Sequence, residues 1–443
     1  MIFEFASIAL FTFCIILLVN GFTVLNTGGL SKHSLHAYFL GVSSYYLMVA
    51  PTFTFITSDY QLYTKGWGGS VDIENIFDFG MLMIVLHFVC YTVGYFLMFS
   101  NRPAHVKDFS SPSHRLNVKN TMEGCVFYLF VFFYMVIFLN TLAGDVNLIN
   151  VFLGLYGKAT LGLRGYTYYL QNFADSLIVL LIAGYYFRIR SLYFWIMVFL
   201  AVPLFLVLGF RYRIILFVLG ICIIFLRDHK ISLLNLFKVL GFVVLFVYSM
   251  LVLTQNRTAI YMQEWDKLSL DASELPYEAL VEQAKGSRID FAVYKAIDEG
   301  TINHDFGVTN FIYPFIKLTP SFVFSGGKKP YPPPLVRDVH IALDSGENIG
   351  EAVTSIGTSY YSFGVLGVIL GSLIVGLIIG RLQSSFGRTT FSGLFNLAFA
   401  LALFMWLTRG YMPGFLDHLV FMLIPVVILK FLHTRILKRA GNV

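Results

Sequence analysis

The sequence predicts an all-α polytopic integral membrane protein with about 11 or 12 transmembrane helices and one large polar loop. Three observations predict this class. Of the 443 residues, 57% are hydrophobic and only 13% are charged, about half of the roughly 25% that soluble domains carry. The apolar residues form runs of about 20, which is the length that crosses the hydrocarbon core of a bilayer. Only the stretch from Gln255 to Glu351 interrupts these runs for long.

The length rule gives about eleven candidate spans. In chain order they are Phe5 to Phe22, Ala37 to Ile56, Phe79 to Phe99, Cys125 to Leu142, Ala174 to Phe187, Leu192 to Gly209, Ile214 to Leu226, Leu236 to Thr254, Ala352 to Gly380, Phe391 to Leu407 and Leu416 to Phe431. The expected organisation is one membrane domain, with N-terminal helices in residues 1–254, an inserted cap in 255–351 and C-terminal helices in 352–443.

The distribution of Lys and Arg predicts how these spans are oriented. Short loops on one side hold sixteen of the 31 cations, whereas short loops on the other side hold six. Because cytoplasmic loops are enriched in Lys and Arg, the first side is expected to be cytoplasmic and the cap to lie outside. The formal charge of +6 therefore reflects membrane topology and gives no support for a nucleic-acid partner.

Two patterns inside the cap predict that it folds onto the membrane surface. The first is an amphipathic helix with apolar residues at helical spacing: Ile289, Ala292, Val293, Ala296 and Ile297. The second is the apolar stretch from Val308 to Phe324, which is broken by Pro314, Lys317 and Pro320. We expect this stretch to be interfacial or re-entrant, since irregular backbone exposed to lipid would leave polar groups unpaired.

Several motifs of soluble and metal-dependent chemistry are missing from the sequence. It has no Asp-x-Asp pair, no phosphate-binding Gly-rich loop and no zinc-type His-Glu-x-x-His helix, so we expect no nucleotide or metal cofactor. The four cysteines lie in apolar runs and form no disulfide or metal pattern. Acidic residues are scarce in the predicted spans, which argues against an ion-coupled transporter.

Arginines are the strongest candidates for a binding site. The seventh span is short, so Arg211 and Arg213 of the segment Gly209-Phe210-Arg211-Tyr212-Arg213 are expected at or just below the outer interface. Arg257, Arg337 and Arg409 are expected on the same side. Guanidinium groups match phosphate oxygens in pairs, so this set suits a lipid diphosphate. Snorkelling to headgroups, or ion pairs with Glu351, Asp344 or Asp417, would explain individual arginines equally well.

Candidate bases cluster at the end of the cap. His340 and Glu351 flank this region, with His304, Asp344 and Glu347 nearby, and His418 is a weaker candidate at the last span. A solvated or structural role explains any single loop histidine as well as catalysis does. The ninth span opens with hydroxyl and aromatic side chains, among them Tyr361, that suit a sugar.

Two motifs in this layout resemble those of the O-antigen polymerase (Wzy-type) family. One is Gly209-Phe210-Arg211 at the outer end of a mid-chain helix, and the other is the helix after the cap, with Glu351, Gly357, Tyr361, Phe363-Gly364 and Gly367. The resemblance implies a GT-C-like membrane glycosyltransferase in the bacterial inner membrane. It would polymerise undecaprenyl-diphosphate-linked repeat units at the periplasmic face, without a cofactor and with a chain-length regulator as a candidate partner.

The resemblance also assigns residues, and it leaves alternatives. Arg211 matches the family motif for binding the diphosphate, whereas Arg213, Arg257, Arg337 and Arg409 are assigned on physical grounds alone. The sequence lacks the repeated Arg-plus-Gly pattern of some members, so a catch-and-release scheme between two loops does not carry over. An O-antigen ligase, a flippase or transporter of lipid-linked glycans, and an assembly subunit are the alternatives.

Overall fold

The fold is that of a computed structural model, which describes residues 2–63, 70–99, 112–142, 172–207, 212–229, 264–269, 278–319, 333–345, 352–386 and 391–439, with a few isolated residues between them. In this part of the chain the α-helices are α1 (Ile2–Asn26), α2 (Ser34–Thr57), α3 (Glu74–Met98), α4 (Pro112–Leu142), α5 (Phe173–Tyr186), α6 (Ser191–Val207), α7 (Tyr212–Asp228), α8 (Glu278–Gln283), α9 (Gly286–Asp298), α10 (Tyr313–Leu318), α11 (Pro334–Ala342), α12 (Ser355–Ser384), α13 (Phe391–Arg409) and α14 (Met412–Arg439).

The predicted all-α membrane fold is confirmed. Within the described residues, seven helices are long and apolar enough to cross a bilayer: α1, α2, α3, α4, α12, α13 and α14. The apolar helices α5 and α6 are shorter, and α7 has 17 residues. The predicted eighth span, Leu236 to Thr254, falls largely outside the described residues.

The chain divides into two compact units. Unit 1 comprises Met1–Arg102, Glu278–Ser384 and Ala402–Leu416, and unit 2 comprises Pro103–Tyr277, Ser385–Leu401 and Asp417–Val443. Unit 1 therefore contains the first three helices, the described cap helices and α12. Unit 2 contains α4 to α7 and most of α14.

Close packing between α3 and α12 forms the centre of unit 1. A Cβ added at Gly94 would overlap the backbone of Leu373, and one added at Gly376 would overlap the backbone of Tyr91. Gly380 lies equally close to the α3 backbone. Small residues let helix backbones approach this closely in lipid. Gly94, Gly376 and Gly380 therefore allow the close contact between α3 and α12.

The predicted amphipathic helix of the cap is α9, and its apolar face is buried as expected. Ile289, Ala292 and Val293 are at most 2% exposed, and the helix packs against α2, α3 and α12. The fully buried ring of Phe291 lies against Gly80 of α3, where a Cβ would collide with it. Burying a phenylalanine side chain contributes about 1.5–3 kcal/mol. Hydrophobic packing thus fixes the cap helix onto the membrane helices of its unit.

A short β-hairpin, which we did not predict, also anchors α9. Strand β1 (Gln61–Tyr63) pairs antiparallel with β2 (Ser70–Asp72). The Arg288 guanidinium donates a 2.5 Å hydrogen bond to the Gln61 carbonyl, and the Lys295 ammonium donates a 2.9 Å bond to the Asp72 carbonyl. Two cations of the cap are therefore bound to backbone carbonyls and have structural roles.

The apolar stretch near the end of the cap forms two short helical segments. A π-helical turn, Val308–Ile312, leads directly into α10. The side chains of Phe311 and Phe315 are 62% and 72% exposed. Large aromatic groups that are this exposed fit the predicted interfacial location, where one side of the segment would contact lipid.

In unit 2, α5 is the central helix. Twelve of its fourteen residues are buried, and it packs against α4, α6 and α7. The Ser176 hydroxyl donates a 2.6 Å hydrogen bond to the Phe421 carbonyl of α14. The ring centroids of Phe173 and Phe421 are 5.0 Å apart. These contacts fix the start of α5 against the first turns of α14.

The α3–α12 interface predicts the effect of enlarging its glycines. Gly376→Leu places a side chain where the α3 backbone lies, and overpacking of this kind costs about 1–3 kcal/mol or more. We expect the midpoint of thermal unfolding in detergent to fall by about 2–6 °C. Gly41→Leu is the matched control, because no atom lies within 4 Å of the place that a Cβ would take at Gly41. Equal melting of the two variants would contradict this packing.

Candidate active site

The ninth predicted span is interrupted near its start. Within α12, Phe363 and Gly364 depart from helical geometry, and Gly364 has φ 62°. Glycine adopts this conformation at little cost because it has no Cβ. Residues 355–362 therefore form a separate short helix, called here the half-helix. Residues 365–384 still measure about 30 Å, enough to cross a bilayer.

The chain turns back sharply at this break. The backbone carbonyl of Ser359 lies against Gly367, and the Ser359 hydroxyl lies 2.9 Å from a Cβ position at Gly371. These two glycines therefore make room for the half-helix to pack closely against the rest of α12.

Asp290 of α9 holds the N-terminal end of the half-helix. Its carboxylate accepts hydrogen bonds from the Thr354 backbone N–H at 2.7 Å and the Thr354 hydroxyl at 2.5 Å, and another from the Gly357 backbone N–H. The first N–H groups of a helix have no partner within it. Asp290, which is 2% exposed, satisfies them from a different element. A Cβ at Gly357 would collide with this carboxylate.

Burial also changes the protonation of Asp290. Removal from water raises the pKa of this carboxyl to about 7, and the hydrogen bonds from Thr354 and Gly357 act in the opposite direction. Asp290 therefore titrates near neutral pH. The N-terminal end of the half-helix is occupied by a protein carboxyl, so it is not the place where a substrate phosphate binds.

The cap also binds the C-terminal end of the half-helix. The Tyr361 carbonyl, just before the break, accepts hydrogen bonds from the His304 Nδ1 at 3.1 Å and the Asp305 backbone N–H at 3.2 Å. Asn310 donates a 3.1 Å bond to the Ser362 hydroxyl. Cap residues thus fix both ends of the half-helix.

The side chain of Tyr361 links the half-helix to α11. Its hydroxyl, which is buried, donates a 2.6 Å hydrogen bond to Asp338. The other Asp338 oxygen accepts a 2.9 Å bond from the Arg337 Nε. The Arg337 side chain is 73% exposed. Tyr361 therefore positions α11, and Arg337 is held by one nitrogen with most of its surface accessible.

His340 lies one turn further along α11 and is half-buried. Its backbone carbonyl accepts hydrogen bonds from Ser345. The Nδ1 atom is buried, and no residue in the described part of the chain donates to it or accepts from it. The geometry places His340 beside Arg337 and Asp338 without giving it a carboxylate partner there.

Arg409 lies next to the start of the half-helix. It is the last residue of α13 and is exposed. Gly410 follows with φ 53°, and its backbone packs so closely against Thr354 and Thr358 that a Cβ would overlap them. The half-helix therefore has exposed arginines near both ends, Arg409 beside its first turn and Arg337 beside Tyr361 at its last turn.

A second polar cluster lies in unit 2, at the beginning of α5, α7 and α14. Asp175 accepts a 2.8 Å bond from the Arg213 Nε and a 3.2 Å bond from the Tyr212 hydroxyl. Its other oxygen is bonded to the His418 Nδ1. Asp175 is 0% and Arg213 1% exposed. A buried arginine requires a counter-charge, and Asp175 supplies it.

The comparisons with known proteins identify the family. A family model described as O-antigen polysaccharide polymerase Wzy matches residues 1–440. The chain belongs to this family. The resemblance inferred from the sequence is thereby confirmed, and the protein is an O-antigen repeat-unit polymerase that acts on lipid-linked repeat units in a membrane. No curated protein and no solved structure matches the chain.

The structure describes five of the eight predicted site residues of the polymerase. Arg337, His340, Tyr361 and Arg409 lie in unit 1 around the half-helix, and Arg213 lies in unit 2. Arg211, Arg257 and Glu351 lie outside the described residues. The assignment of all eight to the site stays a prediction.

Two carboxylates of the polymerase have an importance that was not predicted from the sequence. Asp290 was noted without a role, and Asp175 was not noted. Asp175 is the only charged residue in the predicted fifth span. Ionisable residues inside spans are functional candidates by default, and this signal could have identified it.

A cavity of about 580 Å³ lies in unit 2. Its lining is mainly apolar, from Leu129, Phe132, Leu432 and their neighbours on α4 and α14. It has no charged side chain and offers no group for binding a diphosphate. This cavity is therefore not a candidate for the polymerase reaction.

The raised pKa of Asp290 predicts how stability depends on pH. A carboxyl whose pKa rises on folding binds its proton more tightly in the folded state, so stability falls as pH rises from about 4 to about 7. The thermal unfolding midpoint of the wild-type protein should therefore fall between pH 5 and pH 8. In Asp290→Asn, whose side chain cannot ionise, the midpoint should fall less over the same range. Asp298→Asn removes an exposed carboxyl of the same helix and is the control. Parallel pH curves for wild type and Asp290→Asn would contradict the prediction.

Proposed function

We propose that the polymerase transfers a growing glycan from undecaprenyl diphosphate onto a single lipid-linked repeat unit, at the periplasmic face of the bacterial inner membrane and without metal or nucleotide. The observation that carries this proposal is the pair of exposed arginines, Arg337 and Arg409, on elements that pack against the two ends of the half-helix. Family membership supports the polymerase reaction itself.

The chemistry explains why arginines are needed. The acceptor hydroxyl attacks the anomeric carbon of the donor, and the bond between that carbon and the diphosphate oxygen breaks. Negative charge then grows on the departing diphosphate. Fixed positive groups stabilise this charge best where water is scarce, and paired guanidinium N–H groups match phosphate oxygens. We propose this role for Arg211, Arg257, Arg337 and Arg409. Arg213, the fifth predicted arginine, is buried against Asp175, which compensates its charge.

The remaining predicted residues complete the proposed site. Tyr361 and the hydroxyl side chains of the half-helix would face the sugar or support the residues that do. His340 and Glu351 are the candidate proton acceptors from the sequence. Residues 255–351 would form a cap over the membrane helices, and the half-helix, held by cap residues at both ends, supports this organisation. A chain-length regulator is a proposed partner on the family resemblance alone.

None of the observed contacts favours a ligase, a flippase or an assembly subunit. A ligase would use the same diphosphate chemistry but would need a different acceptor. The products distinguish these enzymes, because loss of a polymerase leaves single repeat units and loss of a ligase leaves polymer on the lipid carrier.

Substituting the proposed diphosphate-binding arginines should remove elongation. In proteoliposomes with a purified lipid-linked repeat unit, EDTA and no nucleotide, we expect the wild-type protein to make long chains. Loss of one transition-state donor costs about 10²–10³ in rate. Arg211→Ala and Arg409→Ala should therefore lower the elongation rate at least about 100-fold, with normal membrane insertion.

Lys328→Ala is the control, since Lys328 lies in the middle of the cap and should matter little. Its rate should stay within about three-fold of the wild-type rate, a change of under 1 kcal/mol. Normal chain length in a well-expressed Arg211→Ala strain would contradict the assignment. A wild-type rate abolished by EDTA would contradict metal independence.

A further inference from the structure

The His418–Asp175 pair of unit 2 has the arrangement of a catalytic base and its orienting carboxylate. His418 Nδ1 is bonded to one Asp175 oxygen, and its imidazole packs nearly perpendicular to the ring of Tyr212, with centroids 5.3 Å apart. One turn further along α14, the Ser176–Phe421 hydrogen bond fixes the same helix face against α5. The imidazole is therefore held by its own contacts and by those of the helix that carries it.

The contact with Asp175 determines which imidazole nitrogen carries the proton. Arg213 is always charged and is buried against Asp175, so Asp175 must be the ionised partner. A carboxylate only accepts hydrogen bonds, and His418 Nδ1 must donate. In the neutral histidine, Nε2 then has the free lone pair that a base requires.

The charges of the cluster leave His418 free to act as a base. Arg213 already compensates the charge of Asp175, so a second cation is not required for neutrality. When His418 accepts a proton, the carboxylate beside it stabilises the resulting imidazolium.

Accessibility distinguishes His418 from its partners. Its side chain is 16% exposed, whereas those of Arg213 and Asp175 are 2% and 0% exposed. The three residues lie near the N-terminal ends of α5, α7 and α14, which correspond to the predicted fifth, seventh and eleventh spans. The distribution of Lys and Arg predicts that these ends lie on the outer side of the membrane. That is the side on which the proposed reaction takes place.

No other histidine whose hydrogen bonds the structure describes is bonded to a carboxylate. His33, His36 and His87 bond to hydroxyl and amide side chains inside unit 1. His304 and His229 bond to backbone carbonyls. Among these histidines, His418 is therefore the one that combines a carboxylate partner with a partly exposed side chain.

We propose that His418 is the catalytic base of the polymerase and that Asp175 is its positioning residue. The inference rests on the proposed glycosyl transfer and gives the base role to His418 in place of His340 or Glu351. As the acceptor oxygen bonds to the anomeric carbon, its proton passes to His418 Nε2. The bond to the diphosphate breaks and its electron pair leaves with the lipid diphosphate. His418 then releases the proton to water.

The experiment compares purified variants in the proteoliposome elongation assay. His418→Asn keeps a side-chain N–H close to the Nδ1 position, so it can still bond Asp175, but it has no basic nitrogen. General base catalysis contributes about 10²–10⁴-fold, and we expect kcat to fall at least about 100-fold with little change in KM. For His418→Ala, added imidazole should restore part of the rate, which a purely structural role would not allow.

His229→Asn is the matched control, an exposed histidine of the same unit, and it should retain the wild-type rate. If wild-type protein elongates and His418→Asn matches it, the assignment of His418 is wrong while the proposed function stands. If wild-type protein transfers no glycan in this assay, the proposed function itself fails.

Discussion

The hydrogen bonds that Asp290 accepts from Thr354 and Gly357 organise unit 1. They join a cap helix to the start of α12 across 64 residues of sequence, and they satisfy N–H groups that would otherwise be buried without partners. Loss of a side chain that accepts hydrogen bonds at a helix N-terminus costs about 0.5–2 kcal/mol in soluble proteins. Next to this contact, Phe291 packs against Gly80, and the half-helix packs against Gly410. The positions of Arg337 and Arg409 depend on this arrangement.

In unit 2, Asp175 has a similar role, because it bonds to two groups from other helices. A buried arginine next to a histidine is tolerable only if a carboxylate binds both, and Asp175 uses one oxygen for Arg213 and the other for His418. In both units, an acidic side chain from a distant part of the chain fixes groups at the beginning of a membrane helix. Because each carboxylate is almost fully buried, each contact is shielded from water and from salt.

Hydrophobic patterns predicted most of the fold. Apolar runs located the long helices to within a few residues at many ends, and helical spacing located α9, because burial requires these patterns. The break at Gly364 was not predictable from the same information, since the residues on both sides are apolar and suit a helix. The β-hairpin was missed for a different reason, because its strands have only three residues each.

The candidate site was predictable only in part. Arginines and histidines were recognised because their chemistry suits a diphosphate and a base, and Gly209-Phe210-Arg211 carried the family resemblance. Their partners could not be inferred, since Asp175 and Arg213 are 38 residues apart and Asp175 and His418 are 243 apart. Spacing along the chain carries no information on such contacts. Arg213 therefore looked like an accessible binding group, whereas the fold buries it.

Hydrogen–deuterium exchange of the Asp290→Ala protein tests most directly whether Asp290 holds the half-helix in place. We predict that backbone amides of residues 355–362 exchange at least about 10-fold faster than in the wild-type protein, which corresponds to about 1.4 kcal/mol. Amides in residues 417–436 of unit 2 should exchange at an unchanged rate. Unchanged exchange in residues 355–362 would contradict the central role of Asp290.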